Sequence, residues 1–367
     1  MIPTEMKNLT YFPSPLAGEG KGRGGSRQSP SLSGTLPLRQ PPAWQRELMQ
    51  AITEPEDLLD MLGLGRDWLP AARGAARLFP LKVPRGFAAR IRRGDPHDPL
   101  LRQVLPLAQE TLDVEGFVPD AVGDIDAQLA PGVLQKYHGR VLLTATGACA
   151  VHCRYCFRRQ FPYAEANASA DHWHDALELI AADASVREVI LSGGDPLTLS
   201  DRRLREFIDA LNSIAHVERL RIHTRLPIVL PSRVDDGLLD WLGQARPAVI
   251  LVVHANHANE IDAEVHAALV RLNAATAALL NQSVLLRGIN DDVAVLTELS
   301  ERLFQSGVLP YYLHLLDRTQ GVAHFEVPQD WAQRLHAELC ARLPGYLVPR
   351  LVREIAGAPN KVSMGTF

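Results

Sequence analysis

Lysine is nearly missing from the body of this 367-residue chain: beyond the first forty residues only Lys82, Lys136 and Lys361 occur, against a large excess of arginine. Cysteine is also scarce, with four in all. No apolar run approaches the roughly 18 residues that a membrane-crossing helix needs, so no membrane partner is expected. The N-terminus lacks the compact apolar segment of a secretory signal, which makes the cytoplasm the default location. Positive charge is not in excess either. The formal net charge is −4 and the arginines are dispersed, so nucleic acid is not an expected partner. No internal repeat is evident. What is present is apolar residue, 46% of the chain, enough to bury a large core and to exclude global disorder.

Residues 1 to about 40, rich in Gly, Ser and Pro without apolar period, read as a disordered tail or as translation from a misassigned start codon. Residues 41–136 read as a helical extension, with Leu58, Leu59, Met61 and Leu62 clustered behind an acidic start and a Pro-broken connector of short helices over 80–136. From about Arg140 a regular alternation begins. Strand-like runs are expected at Val141–Thr146, Glu188–Ser192, Arg219–His223, Ala248–His254, Leu279–Leu286 and Pro310–Leu316. Helical patterns separate them at 171–184, 201–214, 235–243, 259–275 and 292–306. Strand–helix alternation implies a parallel sheet with right-handed crossovers, and six units are too few for the closed eight-stranded barrel. The expected fold is α/β, a partial (βα)6 barrel over 137–330 behind the N-terminal helical extension. A C-terminal segment, 331–367, adds most of a last helix at 328–342 and a strand-like run at Tyr346–Arg353.

In such folds chemistry collects at the C-terminal ends of the strands. The unusual residues fall there. Three cysteines follow the first strand, Gly193-Gly194-Asp195 the second and Thr224-Arg225 the third; His254 closes the fourth, and Asp317 follows the sixth. Cys149, Cys153 and Cys156 sit within eight residues, as Cx3Cx2C. In a reducing compartment such clustering favours metal or cluster ligation over disulfides. Three thiolates suit a 4Fe–4S cubane with one iron left for an outside ligand. Structural zinc wants four ligands, usually from two separated pairs, and His152 adjoins Cys153 too closely to close a tetrahedron. The fourth cysteine, Cys340, lies in an expected helix and reads as a packing residue. Lys361, isolated in the small-residue turn Ala356-Gly-Ala-Pro-Asn-Lys361, is a candidate Schiff-base lysine for pyridoxal phosphate.

With this spacing after the first strand, the chain resembles the radical S-adenosylmethionine superfamily. From about residue 54 to 361 it is similar to the lysine 2,3-aminomutase family, and most of all to its elongation factor P β-lysylation branch. The stretches that carry the likeness are Lys136-Tyr-His-Gly-Arg140, Cys153-Arg-Tyr-Cys-Phe-Arg-Arg159, Ser192-Gly-Gly-Asp-Pro-Leu197, Asn256-His-Ala-Asn-Glu-Ile261, Asn281-Gln-Ser-Val-Leu-Leu-Arg287 and Tyr311-Tyr-Leu-His-Leu-Leu-Asp317.

The resemblance implies three cofactors: a 4Fe–4S cluster on Cys149, Cys153 and Cys156, S-adenosylmethionine on its open iron, and pyridoxal phosphate on Lys361. Gly193, Gly194 and Asp195 match the motif whose backbone and acid hold the methionyl ammonium. His254 and Gln282 match residues near the adenosyl group. Tyr137 and Arg140 match residues that hold the pyridoxal phosphate. L-lysine is the implied substrate, with Arg158 matching the carboxylate-binding arginine and Asp317 and Glu354 matching the acids that receive the ε-ammonium. The implied reaction is isomerisation of L-α-lysine to (R)-β-lysine, fed by a reductant such as flavodoxin or ferredoxin. In the branch most resembled, a separate ligase then attaches β-lysine to elongation factor P. Glu354 stands where free-lysine aminomutases use Asp, a glycine run is replaced by Gly-Ala-Pro-Asn, and the cysteine-bearing zinc tail of those enzymes has no counterpart before Phe367. A general metabolic lysine 2,3-aminomutase, and a non-catalytic iron–sulfur or zinc protein, remain the alternative readings.

Overall fold

In the computed structural model, residues 40–163 and 173–365 are described. The tail expected over residues 1–40 falls almost wholly outside them, as do the first two residues of the helix expected at 171–184.

Short aliphatic and β-branched runs bounded by polar or small residues become strands, as buried parallel sheets require. In chain order they are β1 (Gln128–Ala130), β2 (Val133–Tyr137), β3 (Arg140–Thr146), β4 (Glu188–Gly193), β5 (Arg219–Thr224), β6 (Ala248–Val253), β7 (Ala278–Val284), β8 (Leu309–His314), β9 (Arg350–Arg353) and β10 (Val362–Ser363). They form one sheet in that same order. β3 to β9 run parallel, with pairs such as Leu143↔Leu191, Ile222↔Leu251 and Leu313↔Leu351 in register. β1 and β2 continue the sheet antiparallel on one side, and β10 does so on the other. The protein is a mixed α/β fold built on a largely parallel sheet, and the six expected strands are β3 to β8.

The crossover helices start where side chains can satisfy their first N–H groups. Ser200, Asp235, Asp262 and Asp292 cap the helices Asp201–Asn212, Asp236–Gln244, Ala263–Ala275 and Val293–Gln305. In the first of these Leu204, Phe207, Ile208 and Leu211 are buried, the i, i+3, i+4, i+7 face of an amphipathic helix.

Three features differ from the sequence reading. The connector ends in a β-hairpin, β1–β2, rather than in helix. Gly132 turns it at φ 75°, and a three-residue strand is too short to show alternation. The run Tyr346–Arg353 is extended only over β9, because Gly345–Leu347 forms a 3-10 turn between Pro344 and Pro349. β9 is nevertheless a seventh parallel strand, and it carries Glu354 to the same sheet end as the cysteines. Lastly, β7 and β8 stop two residues before their apolar runs do, which leaves Asp317 in a loop.

The core ignores the sequence divisions at 136 and 330. Trp44, Leu58, Phe87 and Leu101 of the extension join one buried cluster with Leu143, Leu191 and Leu251 of the strands. A second cluster packs Leu335 and Leu339 of the helix Gln329–Arg342 against Leu285, Leu313 and Leu351. Both clusters make the sheet ends rigid, and the site hangs from those ends.

Candidate active site

A cavity of about 260 Å³ opens at the C-terminal ends of the parallel strands. Its lining includes every site residue expected from the sequence: Tyr137, Arg140, Cys149, Cys153, Cys156, Arg158, Gly193, Gly194, Asp195, His254, Gln282, Asp317, Glu354 and Lys361. Residues 224 positions apart in the chain thus share one wall.

At one end stand the three thiols, none of them in a disulfide. Burial, with added repulsion from Cys153, pushes the Cys156 thiol up to about 11, and Cys149 is raised by burial and by the other two sulfurs. Half-buried sulfurs this close repel one another once ionised, so their thiolate forms call for a shared cation. Among the described residues no three His, Cys, Asp or Glu side chains converge on a single metal ion. A cubane would give each thiolate an iron of its own. One sulfur already meets a cation, since Arg225 Nη1 donates to Cys153 Sγ at 2.7 Å.

The glycines beside this end are required by close approach. Gly193 has φ 111°, and a Cβ there would lie 2.7 Å from the Thr146 carbonyl; one on Gly194 would strike the Ala148 backbone. Asp195 departs from its expected contact. Oδ1 accepts from Thr224 Oγ1 at 2.7 Å and Leu197 N at 3.1 Å, while Oδ2 accepts from Arg225 N at 2.7 Å and Leu226 N at 3.0 Å. A carboxylate with four donors has no direction left for a ligand ammonium. It ties the end of β4 to the end of β5 instead. The Gly193 carbonyl is met by Tyr163 Oη at 2.8 Å.

Farther along the cavity, buried polar atoms lack partners: His254 Nε2, Gln282 Oε1, His314 Nε2 and Asp317 Oδ1. Such atoms are costly inside a protein unless a ligand satisfies them. Burial lowers His254 to about 4 and His314 well below its usual value, so both imidazoles are neutral at pH 7. Burial drives Asp317 the other way, up to about 7, with Glu354 adding to the rise and Lys361 opposing it.

The distal end, by contrast, is internally paired, through a chain of charges that starts beside Cys156. Arg158 Nε donates to Asp124 Oδ2 at 2.6 Å, and its Nη1 reaches Ser192 Oγ at 3.0 Å. Lys136 Nζ lies 2.6 Å from Asp124 Oδ1 and 3.6 Å from Glu354 Oε1. Glu354 in turn pairs with Lys361 and accepts from Tyr137 Oη at 2.8 Å. Burial opposes charge on Glu354, but Lys361, Tyr137 and Lys136 outweigh it and hold the carboxyl below its ordinary range. Arg140 stacks its guanidinium 5.1 Å above the Tyr137 ring. The result is a chain of alternating charge: Arg158, Asp124, Lys136, Glu354, Lys361.

Sequence reasoning missed Asp124 entirely, since nothing in the connector marks it. It missed His223 and His314, whose only signal was a place near the end of a strand. Arg225 showed that signal too, without a role.

A model of the Radical SAM superfamily matches residues 143–273. The chain is 46% identical to the L-lysine 2,3-aminomutase of Escherichia coli over 322 residues, 88% of this chain and 94% of that one. It is 46% identical to the L-lysine 2,3-aminomutase of Haemophilus influenzae, covering 88% of this chain and 96% of that one. It is 33% identical to that of Clostridium subterminale, covering 87% of this chain and 76% of that one. With two relatives at 46% identity over 94% and 96% of their lengths, the chain belongs to the lysine 2,3-aminomutase family of radical SAM enzymes, a family of isomerases.

Proposed function

We propose that this protein isomerises L-α-lysine to (R)-β-lysine, using a 4Fe–4S cluster, S-adenosylmethionine and pyridoxal phosphate, and that the product serves the modification of elongation factor P. Asp317 is the single observation that carries the lysine reading. It is a half-buried carboxyl whose inner oxygen, Oδ1, is buried and unpartnered, its charged form disfavoured by desolvation, in a cavity shared with Arg158. A ligand with an anionic head and a cationic tail resolves both ends, because the cation restores the charged form that burial penalises.

The residues fit the absent groups. Cys149, Cys153 and Cys156 would hold the cluster, the unpartnered His254 and Gln282 would meet the adenosyl part, and Lys361, Tyr137 and Arg140 would hold pyridoxal phosphate. When bound, these groups supply a hydrogen-abstracting radical and a carbonyl through which nitrogen moves between adjacent carbons. Arg158 would bind the substrate carboxylate by paired N–H donors, and Asp124 keeps that guanidinium oriented before the substrate arrives. Asp317 and Glu354 would receive the ε-ammonium. With pyridoxal phosphate held on Lys361, the Lys361 ammonium would no longer occupy Glu354, and the carboxylate would be free for the ε-ammonium. Buried Leu316 and Ile190 and half-buried Val284 line the cavity with apolar surface that keeps water from the reacting carbons.

The elongation factor P link is supported by the motif likeness to that branch and by Glu354 in place of Asp. Purified protein, loaded with cluster and cofactors and reduced, is expected to form β-lysine from L-lysine. Lys361→Ala should lose both product and the pyridoxal absorbance. Product formation unchanged in Lys361→Ala would sink the pyridoxal role. Deleting the gene should remove the β-lysyl mass increment from elongation factor P. An unaltered elongation factor P would assign the enzyme to general metabolism instead.

A further inference from the structure

We propose that Arg225 is a positioning residue for the cluster, acting through Cys153 to ease its reduction and to hold it in the protein. This rests on the reading of the three cysteines as cluster ligands. Arg225 follows β5 and is 5% exposed. Its two terminal nitrogens are divided between opposite sides: Nη1 donates to Cys153 Sγ at 2.7 Å, while Nη2 donates to Gln103 Oε1 at 2.7 Å and Glu260 Oε2 at 3.0 Å. The backbone is pinned too, by Arg225 N to Asp195 Oδ2 at 2.7 Å.

The guanidinium is not there merely to neutralise Glu260. That carboxylate is wholly buried, and its other oxygen already accepts from Asn256 N at 2.8 Å, His257 N at 3.1 Å and Gln103 Nε2 at 3.1 Å. Asn256 closes the set, donating to Gln103 Oε1 at 3.0 Å and Tyr155 Oη at 2.7 Å. Glu260 therefore acts as a satisfied anchor, and the free face of the guanidinium is aimed at one sulfur of the three. Reduction adds a negative charge to a cluster. A cation hydrogen-bonded to a ligating sulfur, in a water-poor setting, stabilises the reduced form and raises the potential. The same bond weakens thiolate repulsion and slows loss of the cluster.

The test uses the full chain, reconstituted without oxygen, with the midpoint potential read by electron paramagnetic resonance during redox titration and with iron and sulfide counted per chain. Arg225→Gln is expected to shift the midpoint to lower potential and to speed iron loss to a chelator several-fold. Arg225→Lys keeps the charge but not the fork, so its shift should have the same sign and be smaller. Because Arg225→Gln leaves Glu260 buried without its cation, the double variant Arg225→Gln/Glu260→Gln guards against misfolding and should show the same downward shift. A loaded Arg225→Gln or double variant with the wild-type midpoint and wild-type iron retention overturns the proposal. Wild-type protein that takes up no iron and sulfide would overturn the cluster reading itself, a result distinct from an unmoved potential.

Discussion

The two ends of the cavity handle charge in opposite ways. At the cysteine end like groups are crowded together: Cys149 and Cys156 are pushed up by burial and by neighbouring sulfur, with Arg225 as a cation against Cys153. At the distal end opposite charges alternate, and Arg158, Asp124, Lys136, Glu354 and Lys361 satisfy one another. A crowded end is completed by one tightly held cation and stays occupied, whereas an alternating end can exchange one internal partner for a ligand at modest cost. The first arrangement suits a resident cofactor and the second a substrate that must enter and leave. Asp317 stands by the alternating group, half-buried with its Oδ1 unpartnered and within the electrostatic reach of Lys361, Glu354, Lys136 and Asp124.

The largest effect is expected from breaking the cysteine end alone. Cys156→Ala should bring iron content and β-lysine formation to background, while pyridoxal absorbance at Lys361 persists. Loss of both cofactors together would show that the two ends are not independent.

Asp317→Asn should come next. Removing one partner of a buried charge contact costs about 2–5 kcal/mol, roughly 30-fold to several thousand-fold in lysine KM. The same residue predicts a pH dependence. Its carboxyl titrates near 7 in the fold and near 4 in an unfolded chain. The folded state therefore holds a proton that the unfolded chain has released. The contribution of this site to stability is whole below about pH 4 and is lost as pH rises through 7. Melting temperatures from pH 4 to 8 should show that decline in wild type and a weaker one in Asp317→Asn. Lysine binding runs the other way and should tighten as pH rises through 7, because the ammonium needs the charged carboxylate. A lysine KM flat from pH 6 to 8 would contradict Asp317 as its partner.

The smallest effect is expected at Glu354→Asp. One methylene is removed from a carboxylate that also holds Lys361 and Tyr137. Turnover should persist with KM changed by less than about tenfold, near 1.4 kcal/mol. A change beyond a hundredfold would mean that the alternating end is as rigid as the cysteine end.

Much of this was legible before the fold was known. The six central strands could be read because parallel strands, covered on both faces, leave near-continuous aliphatic runs. The cysteines could be read because their ligand spacing is local. The hairpin β1–β2 could not, since its strands are short and its turn depends on one left-handed glycine. Asp124 lies just before it and was hidden for the same reason: its function exists only through partners 12 and 34 positions away. Asp195 was identified as a site residue, but not for its task. A motif marks where an acid stands, while its four donors come from the backbones and side chain at the ends of two strands.

Composition and local spacing by themselves pointed to the α/β class, which the fold bears out, and singled out the strand ends and the three cysteines as candidates for the chemistry. These follow from burial, periodicity and short-range ligand distance, all of which act along the chain. Only the tertiary structure decided which charges meet. It paired Arg158 with Asp124 and Lys361 with Glu354, set Arg225 against Cys153, and left Asp317 Oδ1 without a partner. Coulomb energy depends on separation in space and on exclusion of water, and neither can be read from positions in a sequence.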